Sequence, residues 1–563
     1  MIKKLANKIS HREKCMLICM LLLGVLFMAP RLIMDSIPAY VNQDTLFHIL
    51  RLSGLKNVWS SPINYDLNTT GSLVNAFYPW LTMYSMQILY MITGDYVISY
   101  NIFYCLLSVA GLYISYYSLK MITREEWSSF CFAIIYIFSS YRFTNIYYRA
   151  ALGEAVSMTF LPLALCGLYR ILFDDYKKWL TLSIGMTLIA YSHLISLYLI
   201  SFFVFFILLI SIVFANSRRA RLFSFIKATI SSVLFSSGML IQLVYYGIKN
   251  DLAHPEGMRE IFDSHAYSIF EIIKNSILKQ YSFYSIGFAV IMLVVISICL
   301  AFAFRKKKLV FANVLIILST ILFIFSSDVI PWGAISAFPF IGVIQFPWRL
   351  NAYITMFSVA AFSVYITNIQ NIILKKALSL IVLFSSILFF TNNCLQLGNE
   401  EPAYVLTDDF IENHLITESL DYIPVDYYNF KNENEIVHLS SFHNEDQLIP
   451  VSLNNGNDLG ILVTNALSGE EIELPTCLFS TTHIYCDGVQ LPVFKSMIGT
   501  AMIKAPFDGD LVLDVTNKYD PVIYLFWTVS LVSLCFISFK YVYDCRTDSA
   551  AKYNEKCEVN EVI

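Results

Sequence analysis

In a chain that is 57% hydrophobic and only 14% charged, an ionisable side chain beside an apolar run is costly to place and therefore informative. The segment NQDTLFHILR, Asn42 to Arg51, sets Asp44, His48 and Arg51 at i, i+4 and i+7, one face of a helix. Further on, YYRAALGEAVSM carries Arg149 and Glu154, YSHLIS carries His193, and QFPWRLN carries Arg349. Lying beside spans rather than inside them, these residues suggest a polar cavity opening at one membrane face, able to do acid–base chemistry and to bind an anion, rather than a charged path through the bilayer. Each residue also has a plain reading. Asp44 suits the N-cap of TLFHILRL, and Arg51 suits a snorkelling cation. Arg149 and Glu154 suit a local ion pair, with Glu154 at the positive end of the following helix. His48 and His193 suit packing, and Arg349 suits an interfacial anchor.

The elements that must position these residues are mostly membrane helices. Apolar runs of about 18 residues or more recur along the chain, and the mean hydropathy is +0.61. Apolar length predicts about twelve spans, near 15–34, 97–119, 127–141, 154–172, 179–192, 194–215, 228–247, 284–304, 309–327, 349–369, 377–391 and 521–541. The segment Phe77 to Thr93 breaks the parity and reads as an interfacial or re-entrant helix. The basic stretches MIKKLANKISHREK, LKMITREE, DDYKK, NSRRARLFSFIK, FRKKK and LKK then share one side. By the positive-inside rule that side is cytoplasmic, with both termini. Every residue singled out above falls on the opposite face.

Three regions follow: a membrane domain over 1–391 with its first outer loop at 35–76, an extracytoplasmic block over 392–520, and a last span with a cytoplasmic tail over 521–563. Short β-rich runs separated by GEE, CDG and FDGD turns predict an antiparallel sheet or sandwich in the second half of that block. Cys477 and Cys486, in LPTCLFSTTHIYC, are candidates for a hairpin disulfide. Nucleic-acid binding has no support, and P-loop, dinucleotide and HExxH motifs are absent from the sequence.

The run DTLFHILRL, then Gly71 and FYPWL with Tyr78, then YRAALGEAVSMTFLPLAL, then SH, then QFPWR, resembles in its order the bacterial membrane proteins labelled 6-pyruvoyl-tetrahydropterin synthase-related, and the YfhO-like proteins. Such proteins are similar in layout to the GT-C glycosyltransferases. That resemblance implies an α-helical polytopic membrane fold with a C-terminal extracytoplasmic β-rich domain, in a bacterial cell membrane. It also implies transfer of a sugar from a polyprenyl-phosphate-linked donor to a cell-envelope glycan or teichoic-acid-type acceptor on the outer face. Asp44 matches the family's acidic position in the first outer loop. Glu154 would orient an arginine or help Asp44 hold a divalent cation such as Mg or Mn. His48, Arg51, Tyr78, Arg149, His193 and Arg349 would bind substrate or phosphate. Trp80 stands where the family often has a second proline. Two other classes share the need for a lipid groove and an outer polar cavity: a transporter or flippase for lipid-linked glycans, and a non-catalytic envelope-assembly protein.

Overall fold

The computed structural model describes residues 10–40, 44–253, 266–305, 309–336, 338–413, 419–433, 448–451 and 459–561. The basic head at 1–9, residues 41–43 of the first outer loop, the basic run Lys306 to Lys308, and parts of the 249–280 loop and of the polar 392–455 half lie outside the described residues.

Among the described residues, seven helices are long and apolar enough to cross a bilayer: His11–Leu32, Tyr96–Thr123, Leu152–Phe173, Leu194–Phe214, Pro347–Thr367, Ile372–Gly398 and Pro521–Tyr543. The chain is therefore a polytopic membrane protein. An eighth span exists if Arg218–Phe235 and Ser237–Lys249, bent by 64° at Ser236, count as one. The expectation of twelve is corrected on geometric grounds. The other four apolar runs form the helices Glu126–Ile137, Leu180–Ala190, Phe288–Ala303 and Val310–Phe325. At 1.5 Å per residue they reach about 17 to 24 Å, short of a hydrocarbon core of about 30 Å. The Phe77 to Thr93 segment holds a helix of only 10 residues, Tyr84–Thr93.

Small residues let the helices close up. A Cβ on Gly167 would lie 2.3 Å from the Leu182 backbone nitrogen, so Leu152–Phe173 and Leu180–Ala190 touch almost backbone to backbone, as membrane helices do at small residues.

Eight strands near the C-terminus form two antiparallel sheets. One runs in the order β3 (Leu448–Val451), β4 (Leu459–Ala466), β10 (Gly509–Asn517), β6 (Thr482–Cys486), β7 (Val489–Gln490), and the other in the order β5 (Glu471–Cys477), β9 (Thr500–Lys504), β8 (Phe494–Lys495). Alternate residues Leu511, Leu513 and Val515 of β10 point inward. They meet Ile472 and Leu474 of β5 and Ile503 of β9 in one apolar core, which makes the pair a sandwich. This split separates the two cysteines expected to bridge. Cys477 ends β5 with its Sγ 3.4 Å from Thr70 Oγ1, Cys486 ends β6 in the other sheet, and both thiols are free.

The sandwich docks on the 35–76 loop through a second apolar cluster, in which Ile63, Tyr65 and Leu73 meet Cys477, Phe479 and Tyr519. A short pairing of β1 (Ile37–Ala39) with β2 (Tyr404–Leu406) ties the start of that loop to the chain leaving the helix Ile372–Gly398.

Candidate functional site

Five stretches of the chain meet at a cavity of about 1140 Å³. The helix Asp44–Ser53 brings Asp44 and His48, and the loop after Phe77 brings Tyr78. A turn before Leu152–Phe173 brings Arg149 and Glu154, the break before Leu194 brings His193, and the entrance to Pro347–Thr367 brings Arg349.

The turn that presents Arg149 is unusual. Thr144–Tyr148 is a π-helix, closed by the Arg149 N–H donating to the Thr144 carbonyl at 2.7 Å. Ala150 then takes φ +56. That left-handed conformation costs a residue with a Cβ about 1 to 2 kcal/mol, and such strain collects at functional sites. Gln345 (φ +65) and Tyr422 (φ +60), both in the cavity lining, share it. Among the described residues, three of the seven non-glycine residues with positive φ thus lie on or beside this one cavity.

Arg149 bridges two carboxylates. Its Nε donates to Asp44 Oδ2 at 2.7 Å and its Nη1 to Glu154 Oε2 at 3.0 Å. The Asp44 side chain is 34% exposed, those of Arg149 and Glu154 only 10% and 4%. Burial works against the guanidinium charge, but Asp44 and Glu154 more than offset it and hold the Arg149 pKa above its ordinary value. Glu154 Oε1 accepts from the Tyr141 hydroxyl at 2.7 Å. Asp44, in the first turn of its helix, keeps Oδ1 free of any partner among the described residues. An N-cap reading is thereby replaced by a first-turn position paired to Arg149.

Arg349 is in the opposite condition. It is 6% exposed, lines the cavity, and its Nε and Nη1 have no hydrogen-bond partner among the described residues. Its guanidinium lies 5.3 Å from the centroid of the Phe346 ring, which stacks on Trp348 at 4.3 Å, and Trp348 stacks on Phe283 at 5.5 Å. A buried cation without an anion is costly, and here it sits beside an aromatic wall.

The two imidazoles are neutral. Burial first, then Arg51 and Arg149, pushes the His48 pKa well below its ordinary value. Burial, then Arg349, Arg149 and His48, does the same to His193. His193 caps the helix that follows, its Nδ1 accepting from the Ser196 N–H at 3.3 Å. With Nδ1 an acceptor, the proton of the neutral ring sits on Nε2. Tyr78 is held by contact rather than charge. A Cβ on Gly153 would come within 2.6 Å of the Tyr78 hydroxyl and 3.1 Å of the Ser192 carbonyl, so only glycine fits there.

Three expected residues are not brought to the cavity. Arg51 lies under the Tyr78 ring at 4.0 Å and donates to the Tyr78 and Pro79 carbonyls at 3.4 and 3.3 Å. Tyr78 covers it, so it shapes the floor. Cys477 and Cys486 belong to the sandwich. As for a divalent cation, among the described residues no group of three His, Cys, Asp or Glu is placed to hold one. Asp44 and Glu154 are occupied by Arg149, so this pair does not fit an ion without losing the guanidinium. The sequence reading missed Tyr141, Gly153, the aromatic wall, and Asp421 and Tyr422, which line the cavity from the C-terminal block. The YRAALGE spacing, a glycine just ahead of a buried carboxylate, was the available signal for Gly153.

No protein-family pattern matches the chain, and no curated protein is similar to it in sequence. Among solved structures it is similar to the arabinofuranosyltransferase AftD from mycobacteria, a single-particle cryo-EM structure, with 13% identity and a TM-score of 0.44. The match covers 69% of this chain, which spans only 27% of that enzyme.

The contrast between the two arginines has a measurable consequence. Arg149→Met strands Glu154 at 4% exposure and is expected to cost about 3 to 5 kcal/mol, as breaking a buried pair does. Arg349→Met removes a cation with no pair to break and is expected to leave the thermal unfolding midpoint of the purified chain unchanged or raised. Equal losses in the two variants would contradict this assignment. A second consequence concerns pH. Unfolded imidazoles take up protons below about pH 6.5, whereas His48 and His193 resist protonation in the fold. The unfolded state then binds more protons, so stability falls as pH drops from 7 to 5, by up to about 1.4 kcal/mol per unit for each histidine. His193→Asn, which retains a capping side chain, should flatten that slope, and an unchanged slope would refute the neutral assignment.

Proposed function

We propose that the protein is a membrane glycosyltransferase that moves a sugar from a polyprenyl-phosphate-linked donor to a cell-envelope glycan or teichoic-acid-type acceptor at the outer face of a bacterial cell membrane. The observation that carries this reading is the buried, unpaired Arg349 guanidinium in a large polar cavity that also holds a half-exposed carboxylate. A guanidinium at a lipid boundary stays charged and matches a phosphate bidentately.

In this mechanism the donor phosphate sits on Arg349, with the His193 Nε2–H as a second donor. The acceptor hydroxyl lies against Asp44 Oδ1. As its oxygen attacks the anomeric carbon, the bond from that carbon to the phosphate oxygen breaks, and the electron pair leaves with the phosphate. The hydroxyl proton passes to Asp44. Arg149 fixes the direction of the Asp44 carboxylate, and Glu154 fixes Arg149. Donors already in place when charge develops on the leaving group are worth more in a water-poor cavity than in solvent. The carrier's isoprenoid chain follows the helix Leu194–Phe214, whose second residue, Ile195, lines the cavity and whose Phe202, Phe205 and Leu209 face outward.

The test is the envelope-glycan composition, by mass spectrometry, of cells carrying the intact chain, a deletion, Asp44→Asn or Arg349→Met at matched membrane abundance. The expected result is loss of one and the same sugar decoration in all three altered strains, by at least a hundredfold for Asp44→Asn. Decoration lost in the deletion but intact in Asp44→Asn would reject Asp44 as the base and favour a transport or assembly role.

A further inference from the structure

The C-terminal block does more than cover the membrane domain. Residues 419–425 run as a clasp between two loops. The Ser419 N–H donates to the Leu67 carbonyl at 3.0 Å, Asn68 Nδ2 to the Ser419 carbonyl at 2.9 Å, and Ser72 Oγ to the Asp421 carbonyl at 2.8 Å. The Leu73 N–H donates to the Tyr422 carbonyl at 3.1 Å, the Ala253 N–H to the Ile423 carbonyl at 2.9 Å, and the Val425 N–H to the Asp251 carbonyl at 3.1 Å. The backbone is thus pinned along its length, while the side chains of Ser419, Asp421 and Tyr422 line the cavity.

Asp421 has no ion-pair partner among the described residues, and the other carboxylate acting on it is Asp44, across the same cavity. Arg149, the cation between the carboxylates, is already shared by Asp44 and Glu154. Burial, and then Asp44, lift the Asp421 pKa, opposed by the Ser419 hydroxyl. Asp421 has the Ser419 hydroxyl as a donor but no cation among the described residues, and the cavity also holds Arg349, whose buried Nε and Nη1 lack an acceptor there. The two unmet needs are of opposite kind: an anion at Arg349, and hydroxyl donors at Asp421. Tyr422, stacked on Phe77 at 5.5 Å, adds an aromatic face of the sort that packs against the apolar face of a sugar ring.

Resting on the glycosyl-transfer reading, we propose that Asp421 is the acceptor-recognition residue of this cavity, accepting hydrogen bonds from hydroxyl groups of a neutral glycan, with Ser419 and Tyr422 completing that wall. The sandwich that follows the clasp then holds the acceptor side of the site, and the membrane helices hold the donor side.

The experiment uses the full chain purified in detergent, incubated with oligosaccharides released by mild acid from the envelope of the same cells, and examined by native mass spectrometry. The expected result is a retained oligosaccharide on the wild-type chain, reduced at least tenfold in Asp421→Ala and partly in Asp421→Asn. The clasp's hydrogen bonds from this residue are through its backbone, so both variants should keep their unfolding temperature. Undiminished binding by Asp421→Ala, no retained oligosaccharide on the wild type, or binding abolished by EDTA, the mark of a cation site, would each overturn the proposal. Its failure is separable from that of the transfer reading. Oligosaccharide lost in Asp421→Ala while Asp44→Asn cells keep normal envelope glycans would retain the acceptor site and reject the transfer chemistry.

Discussion

The bridge from Asp44 through Arg149 to Glu154 fixes the geometry of everything around it. It joins the helix Asp44–Ser53, the strained π-turn and the first turn of a membrane helix. Glu154 and Arg149 are both buried, and each meets a charge of opposite sign in the other. Between the two partners Ala150 takes a left-handed conformation. Asp44 is the member left open to the cavity. A group oriented on one oxygen and free on the other is pre-positioned to act as a base.

Around that fixed point the cavity is arranged by charge. The bridge sets two carboxylates against one guanidinium, the histidines are neutral, and among the described residues the group without a direct ion pair near the membrane side is the guanidinium of Arg349, which feels the excess negative charge of Glu154 and Asp44 through space. On the side of the C-terminal block it is the carboxylate of Asp421. In surroundings of low dielectric such unmet groups act strongly on whatever enters. On the proposed reading, a phosphate-bearing donor and a hydroxyl-bearing acceptor take opposite walls, with Asp44 between them.

Much of this site was legible in the sequence because the chain is so apolar. Asp44, Arg149, Glu154, His193 and Arg349 stand out where ionisable groups are expensive, and all five line one cavity. Arg51 fits the same helical face, but its position one turn beyond His48 carries it under Tyr78, a tertiary contact that spacing does not reveal. Asp421 was invisible for the opposite reason. In a polar block rich in acidic residues one more aspartate has no contrast, and its meaning comes from backbone bonds to residues some 350 positions earlier. The count of spans failed because apolar runs do not report helix length: four of them form helices of 11 to 16 residues, and a fifth is broken at Ser236. The disulfide expectation failed because a short connection between β5 and β6 passes from one sheet to the other.

The central claim is that Arg349 holds the phosphate of a lipid-linked donor. It is tested most directly by extracting and weighing, by mass spectrometry, the lipids that remain with the full chain through purification. The account expects an isoprenoid phosphate, free or sugar-linked, on the wild-type chain and its loss from Arg349→Met. The absence of any such lipid from the wild type, or its equal retention by Arg349→Met, would contradict it.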